Sequence, residues 1–145
     1  MMILDTSVIS ALMQQTPVKP VVAWLDRQAT ESVWVTSVTV FEARYGIGLL
    51  PRGRRRSALQ SAFERFLAEF LEWRVLDLDH EAATVAAWVA AGRRSAGRTV
   101  DMRDMLIAGI AIARRGRLAT RNVRDFGDLD VEVVNPWEAA RRAEP

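Results

Sequence analysis

Residues 1–10, MMILDTSVIS, constrain this chain more than any other stretch. A short apolar run over residues 1–4 stops abruptly on one carboxylate, Asp5, and apolar residues resume after the hydroxyl side chains of Thr6 and Ser7. The run has the length of a buried strand, and Thr6 and Ser7 are suited to cap a following helix. Asp5 then stands at the carboxyl end of an N-terminal central strand, the edge along which α/β sheets place their ligands. The expectation is that the rest of the chain delivers further carboxylates to Asp5.

Strand-like and helix-like segments alternate from there on. Helical spacing marks residues 6–13, broken by Pro17 and Pro20, and then about 20–29 with Val21, Val22, Trp24 and Leu25. The β-branched and aromatic run 33–36 reads as a second strand. Ser37 is placed to cap a helix over 38–50 whose apolar stripe is Val38, Phe41, Tyr45 and Leu49. Residues 50–53 end it, and 52–56 lead into an amphipathic helix reaching Glu72. Phe63, Phe66 and Phe70 on that helix are assigned to the core or a subunit interface, not to base stacking. Residues 73–78 read as a third strand, and an alanine-rich helix starts at Asp79 or His80 and runs to about residue 96. Asp101 to Asp104 open a helix that is almost wholly apolar over 105–113, hence buried. Short strands at 118–120 and 131–134 follow, and Asn135, Pro136 and Trp137 turn into a short terminal helix. The alternation predicts an α/β fold, three layers (α/β/α) around a mostly parallel central sheet of about five strands. No internal repeat, interior linker or low-complexity segment divides the chain, so residues 1–145 are expected to form a single domain, with only the Arg-, Ala- and Glu-rich tail fraying.

Composition excludes several function classes. With no cysteine there is no disulfide framework, no thiolate nucleophile and no Cys-based zinc site. His80 is the only histidine and sits where a helix begins, which argues against a serine-type triad. No apolar run is long enough to span a bilayer, and the N-terminus lacks the basic flank and cleavage site of a signal peptide. A cytoplasmic protein with no membrane attachment is expected. The formal charge is only +2, but Lys19 is the only lysine, so nearly every basic residue is an arginine. Arginine's planar fork suits phosphate oxygens, and the clusters at 52–56, 93–103 and 114–124 fit a polyanionic partner. Genome base composition accounts for the same arginine bias equally well.

Glu42 falls inside the apolar stripe of its helix. A lone carboxylate there is costly unless it is paired, as with Arg44, reaches solvent, or binds a metal. Asp101 fits a helix N-cap and Asp104 favours the helix dipole from the first turn. Yet Asp104 shares a face with Ile107, Ala108 and Ala111, so its carboxylate points inward. Asp5, Asn122 and Asp125 follow strands, and Glu42 and Asp104 lie near helix starts, which puts all five on the carboxyl edge of a parallel sheet. Converging carboxylates raise each other's pKa unless a cation holds them together. An oxygen-only donor set favours Mg²⁺, with Mn²⁺ an alternative, over zinc. Such an ion can activate a water and offset charge at phosphorus.

The stretches ILDTSVIS at 3–10, TVFEARYGIG at 39–48, DMLIAGIA at 104–111, LATRNVRDF at 118–126 and VNPW at 134–137 together resemble the PIN-domain ribonucleases, specifically the VapC/FitB-like toxins of bacterial toxin–antitoxin pairs. The resemblance runs nearly end to end, with the acidic segments in the family's order. It implies a PIN-like fold and a Mg²⁺-dependent endoribonuclease acting on RNA, dimeric and held inactive by a cognate antitoxin. It also implies that Asp5 and Asp104 bind metal, that Glu42 binds it or orients the attacking water, and that Asn122 and Asp125 complete the shell. Members of the family often carry an acid where this chain has Asn122, so one metal position is expected to be weaker. Thr6 and Thr120 are candidate hydrogen-bond partners behind the acids. Apolar grooves between the early helices and the phenylalanine-rich helix are candidate seats for an antitoxin peptide. Three other readings compete: a phosphoacceptor switch domain with Asp5 as acceptor, an acidic-pocket phosphatase, and a catalytically degenerate RNA- or protein-binding PIN module. The first lacks a well-placed lysine; the second lacks an aspartate at position 7, where Ser7 stands.

Overall fold

The computed structural model describes residues 1–139 and 141–143. Five strands alternate with helices: β1 (Met2–Leu4), α1 (Thr6–Met13), α2 (Lys19–Asp26), β2 (Val33–Thr36), α3 (Ser37–Gly48), α4 (Arg54–Arg65), β3 (Val75–Leu76), α5 (His80–Ser95), α6 (Met102–Ala113), β4 (Arg117–Ala119), β5 (Val133–Val134) and α7 (Pro136–Ala139). Every strand pairing is parallel, in the order β3-β2-β1-β4-β5, so β1 is central and the order reverses beside it. The α/β/α expectation and its strand count hold.

Two-residue alternation sorts the strands' side chains into two cores. Met2, Leu4, Val33, Val35 and Ala119 pack with α1, α2 and the buried Phe63 and Leu67. Ile3, Leu118 and Leu76 pack on the opposite face with Ala82 of α5 and with Ile107, Ala108 and Ala111 of α6. Because both faces of β1 are covered, it reads as an unbroken apolar run. The α5–α6 contact is close. A Cβ placed on Gly109 would lie 2.6 Å from the Ala82 carbonyl oxygen and from Ala86 Cβ. That approach sets how deeply α6, and with it Asp104, sits against the sheet.

Several boundaries differ from expectation for local reasons. Thr36, not Ser37, caps α3: its Oγ1 accepts the Thr39 N–H at 3.1 Å, while Ser37 Oγ accepts the Leu78 N–H at 3.1 Å and joins β2 to β3's exit. Asp5, not Thr6 or Ser7, precedes the first turn of α1. The proposed α3 stripe is wrong beyond Val38, because Phe41, Tyr45 and Leu49 are exposed and the core side is carried by Val38, Val40, Ala43 and Ile47. The last turn of the phenylalanine-rich helix, Phe66–Phe70, widens to a π-helical turn, and Glu72 and Trp73 follow at φ 47° and 60°, so the third strand shortens to two residues. The three phenylalanines do belong to the core side: Phe63 is buried and Phe66 and Phe70 pack against the same cluster. The single-domain and tail expectations reach residues 140, 144 and 145, which lie outside the described residues.

Candidate active site

Asp5 is buried at the C-terminal end of β1, its backbone N–H donating to the Ala119 carbonyl at 2.9 Å. An aspartate before a helix ordinarily caps it, yet this side chain makes no capping hydrogen bond. Its Oδ2 instead accepts from Thr120 Oγ1 at 2.7 Å and from Ser7 Oγ at 3.1 Å. Both hydroxyls are oriented in turn by the segment after β4: Asn122 N–H donates to Thr120 Oγ1 at 3.1 Å and Arg121 N–H to Ser7 Oγ at 3.2 Å. One carboxylate is thus locked by hydroxyls from both of its flanking elements.

Glu42 lies on α3 with a side chain only 16% exposed. Thr6 Oγ1 donates to its Oε1 at 3.0 Å, and Arg103 Nη1 stands 3.6 Å from its Oε2. Arg44, one answer to Glu42's burial cost, pairs with Glu64 instead. Burial raises the Glu42 pKa above the ordinary glutamate value, opposed by the Thr6 hydrogen bond and the Arg103 charge and assisted by Asp5 and Asp101.

Asp104 occupies the third position of α6, half-buried. Asp101 supplies the N-cap, accepting the Asp104 N–H at 3.1 Å, so capping accounts for Asp101 and leaves the Asp104 carboxylate to other work. Its pKa is pushed up to about 7, first by burial and then by the negative charges of Asp101, Asp5, Asp125 and Glu42. Asp5, Glu42 and Asp125 are therefore gathered within electrostatic reach of Asp104. Asp125 is exposed, at the end of a single 3₁₀ turn, Val123–Asp125, and its backbone carbonyl is held by the Arg93 guanidinium. Asn122 is also exposed, and among the described residues its side chain makes no hydrogen bond to these acids. The structure brings together Asp5, Glu42, Asp104 and Asp125, and leaves Asn122 at the rim.

Sequence reasoning missed three contributors. Ser7 was assigned to capping, and its role follows from lying two residues after Asp5 on the first helical turn. Asp101 adds charge to the cluster as well as capping, and Arg103 faces Glu42 from the site's edge. The arginine clusters are only partly free to meet a polyanion: Arg93 and Arg98 pair with Asp128, Arg103 with Glu42, Arg114 with Asp79 and Glu81, and Arg117 with Glu132. Lys19 begins α2 and is exposed, which leaves a phosphoacceptor reading without its lysine.

The donor set suits a hard divalent cation. It is all oxygen, and burial, followed by the charges of the neighbouring acids, pushes the Asp104 carboxyl up to about 7. Among the described residues no three acidic, histidine or cysteine side chains by themselves enclose an ion. Asp5, Glu42, Asp104 and Asp125 are the carboxylates that could contribute to holding such an ion together with water and phosphate oxygens. From Thr6 and Glu42 a groove of about 290 Å³ runs between α1, α3 and α4, lined by Ile9, Met13, Ile47 and Phe63 with Arg55 at its side. No helix among the described residues is long and apolar enough to cross a membrane.

Comparison with known proteins agrees with this architecture. Residues 2–132 match the PIN domain family. The VapC ribonuclease Y4jK of Sinorhizobium fredii is 35% identical over 97% of this chain and 100% of its own length. Toxin FitB of Neisseria gonorrhoeae is 34% identical over 94% of this chain and 99% of its own. The crystal structure of FitAcB from Neisseria gonorrhoeae superposes with a TM-score of 0.86 at 34% identity, covering 94% of this chain and 99% of that one. The chain belongs to the PIN-domain family and stands with the VapC and FitB proteins within it.

Proposed function

We propose that this protein is a Mg²⁺-dependent endoribonuclease, with Mn²⁺ as the alternative ion, and the toxin of a cytoplasmic toxin–antitoxin pair. The observation that carries the reading is the gathering of Asp5, Glu42 and Asp125 around Asp104, whose carboxyl is raised to about 7. In this reading Asp5 and Asp104 hold the ion, and Glu42 binds it or orients the attacking water. Asp125 completes the shell, with Asn122 beside it. Held there, a divalent ion would supply water activation and charge compensation at the phosphate. Thr120 and Ser7 fix Oδ2 of Asp5, and Thr6 fixes Oε1 of Glu42, whose Oε2 stands 3.6 Å from Arg103 Nη1. The raised Glu42 pKa suits it to take up the proton that the water releases. Hydrolysis then proceeds by in-line attack with no covalent enzyme intermediate.

The reading includes two protein partners. FitB has been solved in FitAcB and, in FitAB, on a DNA fragment, which supports a cognate antitoxin for this chain. The apolar groove beside Glu42 is the seat proposed for its peptide. A second copy of the chain is the partner proposed for the exposed α3 stripe, where the Phe41 and Tyr45 rings stack at 5.8 Å and Leu49 continues the face. The test is Asp5→Asn and Asp104→Asn in purified, antitoxin-free protein. Mg²⁺-dependent RNA cleavage should be lost in both, and undiminished cleavage by either overturns the assignment. Sequencing RNA 5′ ends after brief induction identifies the RNA that is cut.

A further inference from the structure

On the ribonuclease reading, the strand must leave the acids in some direction, and the surface beside Asp125 offers one. A cavity of about 430 Å³ opens there, lined by Arg121, Asn122, Arg124, Asp125 and Asn135, with Glu138 on its far wall. Its volume falls in the ~300–1,000 Å³ range of small-ligand clefts. Asn122, in its lining with Asp125, donates its N–H to Thr120 Oγ1, which donates in turn to Asp5 Oδ2. The cavity therefore adjoins the segment that fixes Asp5.

Two features of its lining point to a nucleotide. The Arg121 guanidinium lines it and lies 5.3 Å from the centre of the ring of Trp137, which packs against the core behind it, so the cavity meets a cation backed by an aromatic. Single-stranded RNA is recognised by stacking its bases on aromatic rings and guanidinium planes and by hydrogen bonds to their edges. The Arg121 backbone is fixed as well, its N–H bound to Ser7 Oγ, which itself donates to Asp5. Neither Arg121 nor Arg124 has a carboxylate partner among the described residues, whereas Arg93, Arg98, Arg103, Arg114 and Arg117 all do. The Asn135 Oδ1 is occupied by the Trp137 N–H at 3.0 Å, which orients its amide nitrogen away from that bond as a donor.

We infer that this cavity is a nucleotide subsite for the RNA residue flanking the scissile phosphate. The base stacks on the Arg121 guanidinium, which Trp137 backs, its phosphate rests on Arg124, and Asn135 donates to a base edge. The subsite would select among RNA sequences without touching the reacting atoms.

The test uses the full chain and a fluorescein-labelled, mixed-sequence single-stranded RNA decamer, with anisotropy read in EDTA and cleavage read with Mg²⁺. Arg121→Ala should weaken binding about 5-fold or more, the loss of one stacked base. Arg124→Ala should reduce the salt dependence by about 0.7 in the log–log slope, the loss of one phosphate contact. Both should raise KM more than they lower kcat and shift the cleaved sequence. Arg115→Ala, at the opposite edge of the sheet, should behave as wild type. Wild-type affinity, salt slope and cleavage pattern in both site variants overturn the subsite and leave the ribonuclease reading standing. Failure of the wild-type protein to bind or cleave the RNA overturns both.

Discussion

The Thr120 hydroxyl donates to the Asp5 carboxylate at 2.7 Å, joining the ends of two neighbouring strands whose residues lie far apart in the sequence. Thr120 is fully buried and Asp5 nearly so. Replacing Thr120 with valine keeps the shape and removes the donor. Partners of this kind behind a metal ligand typically contribute about 10–100-fold to metal affinity or activity. Thr120→Val is expected to lose RNA cleavage in that range and about 1 kcal/mol of stability. Thr120→Ser should retain most activity. Initial rates against Mg²⁺ concentration, with a denaturant melt for each variant, check this.

Asp104 makes the metal-free protein pH-sensitive. Its folded pKa, about 7, lies above the ordinary aspartate value of 3.8, so between those values the folded state binds the extra proton. Stability of the metal-free protein therefore falls as pH rises through that window. Asp104→Asn should raise the melting temperature at pH 8 in EDTA and have little effect at pH 4. Divalent ions compete with that proton, so Mn²⁺ affinity should rise with pH up to about 7 and level off above it. Calorimetric titration at several pH values measures the trend.

Arg93 holds the loop that carries Asp125. Its side chain is 8% exposed and reaches Asp128 through two nitrogens and the Asp125 carbonyl through one of them. Breaking a buried pair by removing one partner costs about 3–5 kcal/mol. Arg93→Met is expected to cost that much, minus whatever Asp128 recovers through Arg98 and solvent. Arg98→Ala, whose side chain is 56% exposed, should cost less than about 1 kcal/mol. Urea unfolding of the two variants separates the roles.

Gly109 has no space for a side chain against α5, with the Ala82 carbonyl and Ala86 both 2.6 Å from a Cβ there. Gly109→Val must part the two helices and should destabilise the protein by about 1–3 kcal/mol. Gly92, with nothing within 4 Å, is the control: Gly92→Ala should be neutral or stabilising because it lies within α5. Thermal melts distinguish the two.

The exposed α3 stripe predicts self-association. Phe41→Ser combined with Tyr45→Ser should shift the mass measured by light scattering from dimer to monomer at micromolar concentration, leaving the melting transition in place. An unchanged mass would place the dimer contact elsewhere.

The alternation of apolar runs determines the fold class, because each short strand carries side chains to both faces and must be covered twice. Asp5 was legible for the same reason: a charge that ends a buried strand has few places to go. Asp104 was legible as an acid on an otherwise apolar helix face. What the sequence could not supply was orientation. Thr36 and Ser37 are equivalent as caps on paper, and only the β2–β3 pairing, which turns Ser37 toward Leu78, leaves Thr36 to cap. The α3 stripe has a plausible helical period on either side, and the neighbours α1 and α4 decided that Ala43 and Ile47 go inward while Phe41 and Tyr45 stay outside. The arginine clusters look alike in sequence, but nearby acids neutralise Arg93, Arg98, Arg103, Arg114 and Arg117. Residues near in space and far along the chain made those choices. The sequence by itself determined which residue types could meet at the sheet's carboxyl edge. Tertiary packing decided which oxygen faces which hydroxyl, because burial and hydrogen-bond geometry depend on contacts that no local pattern records.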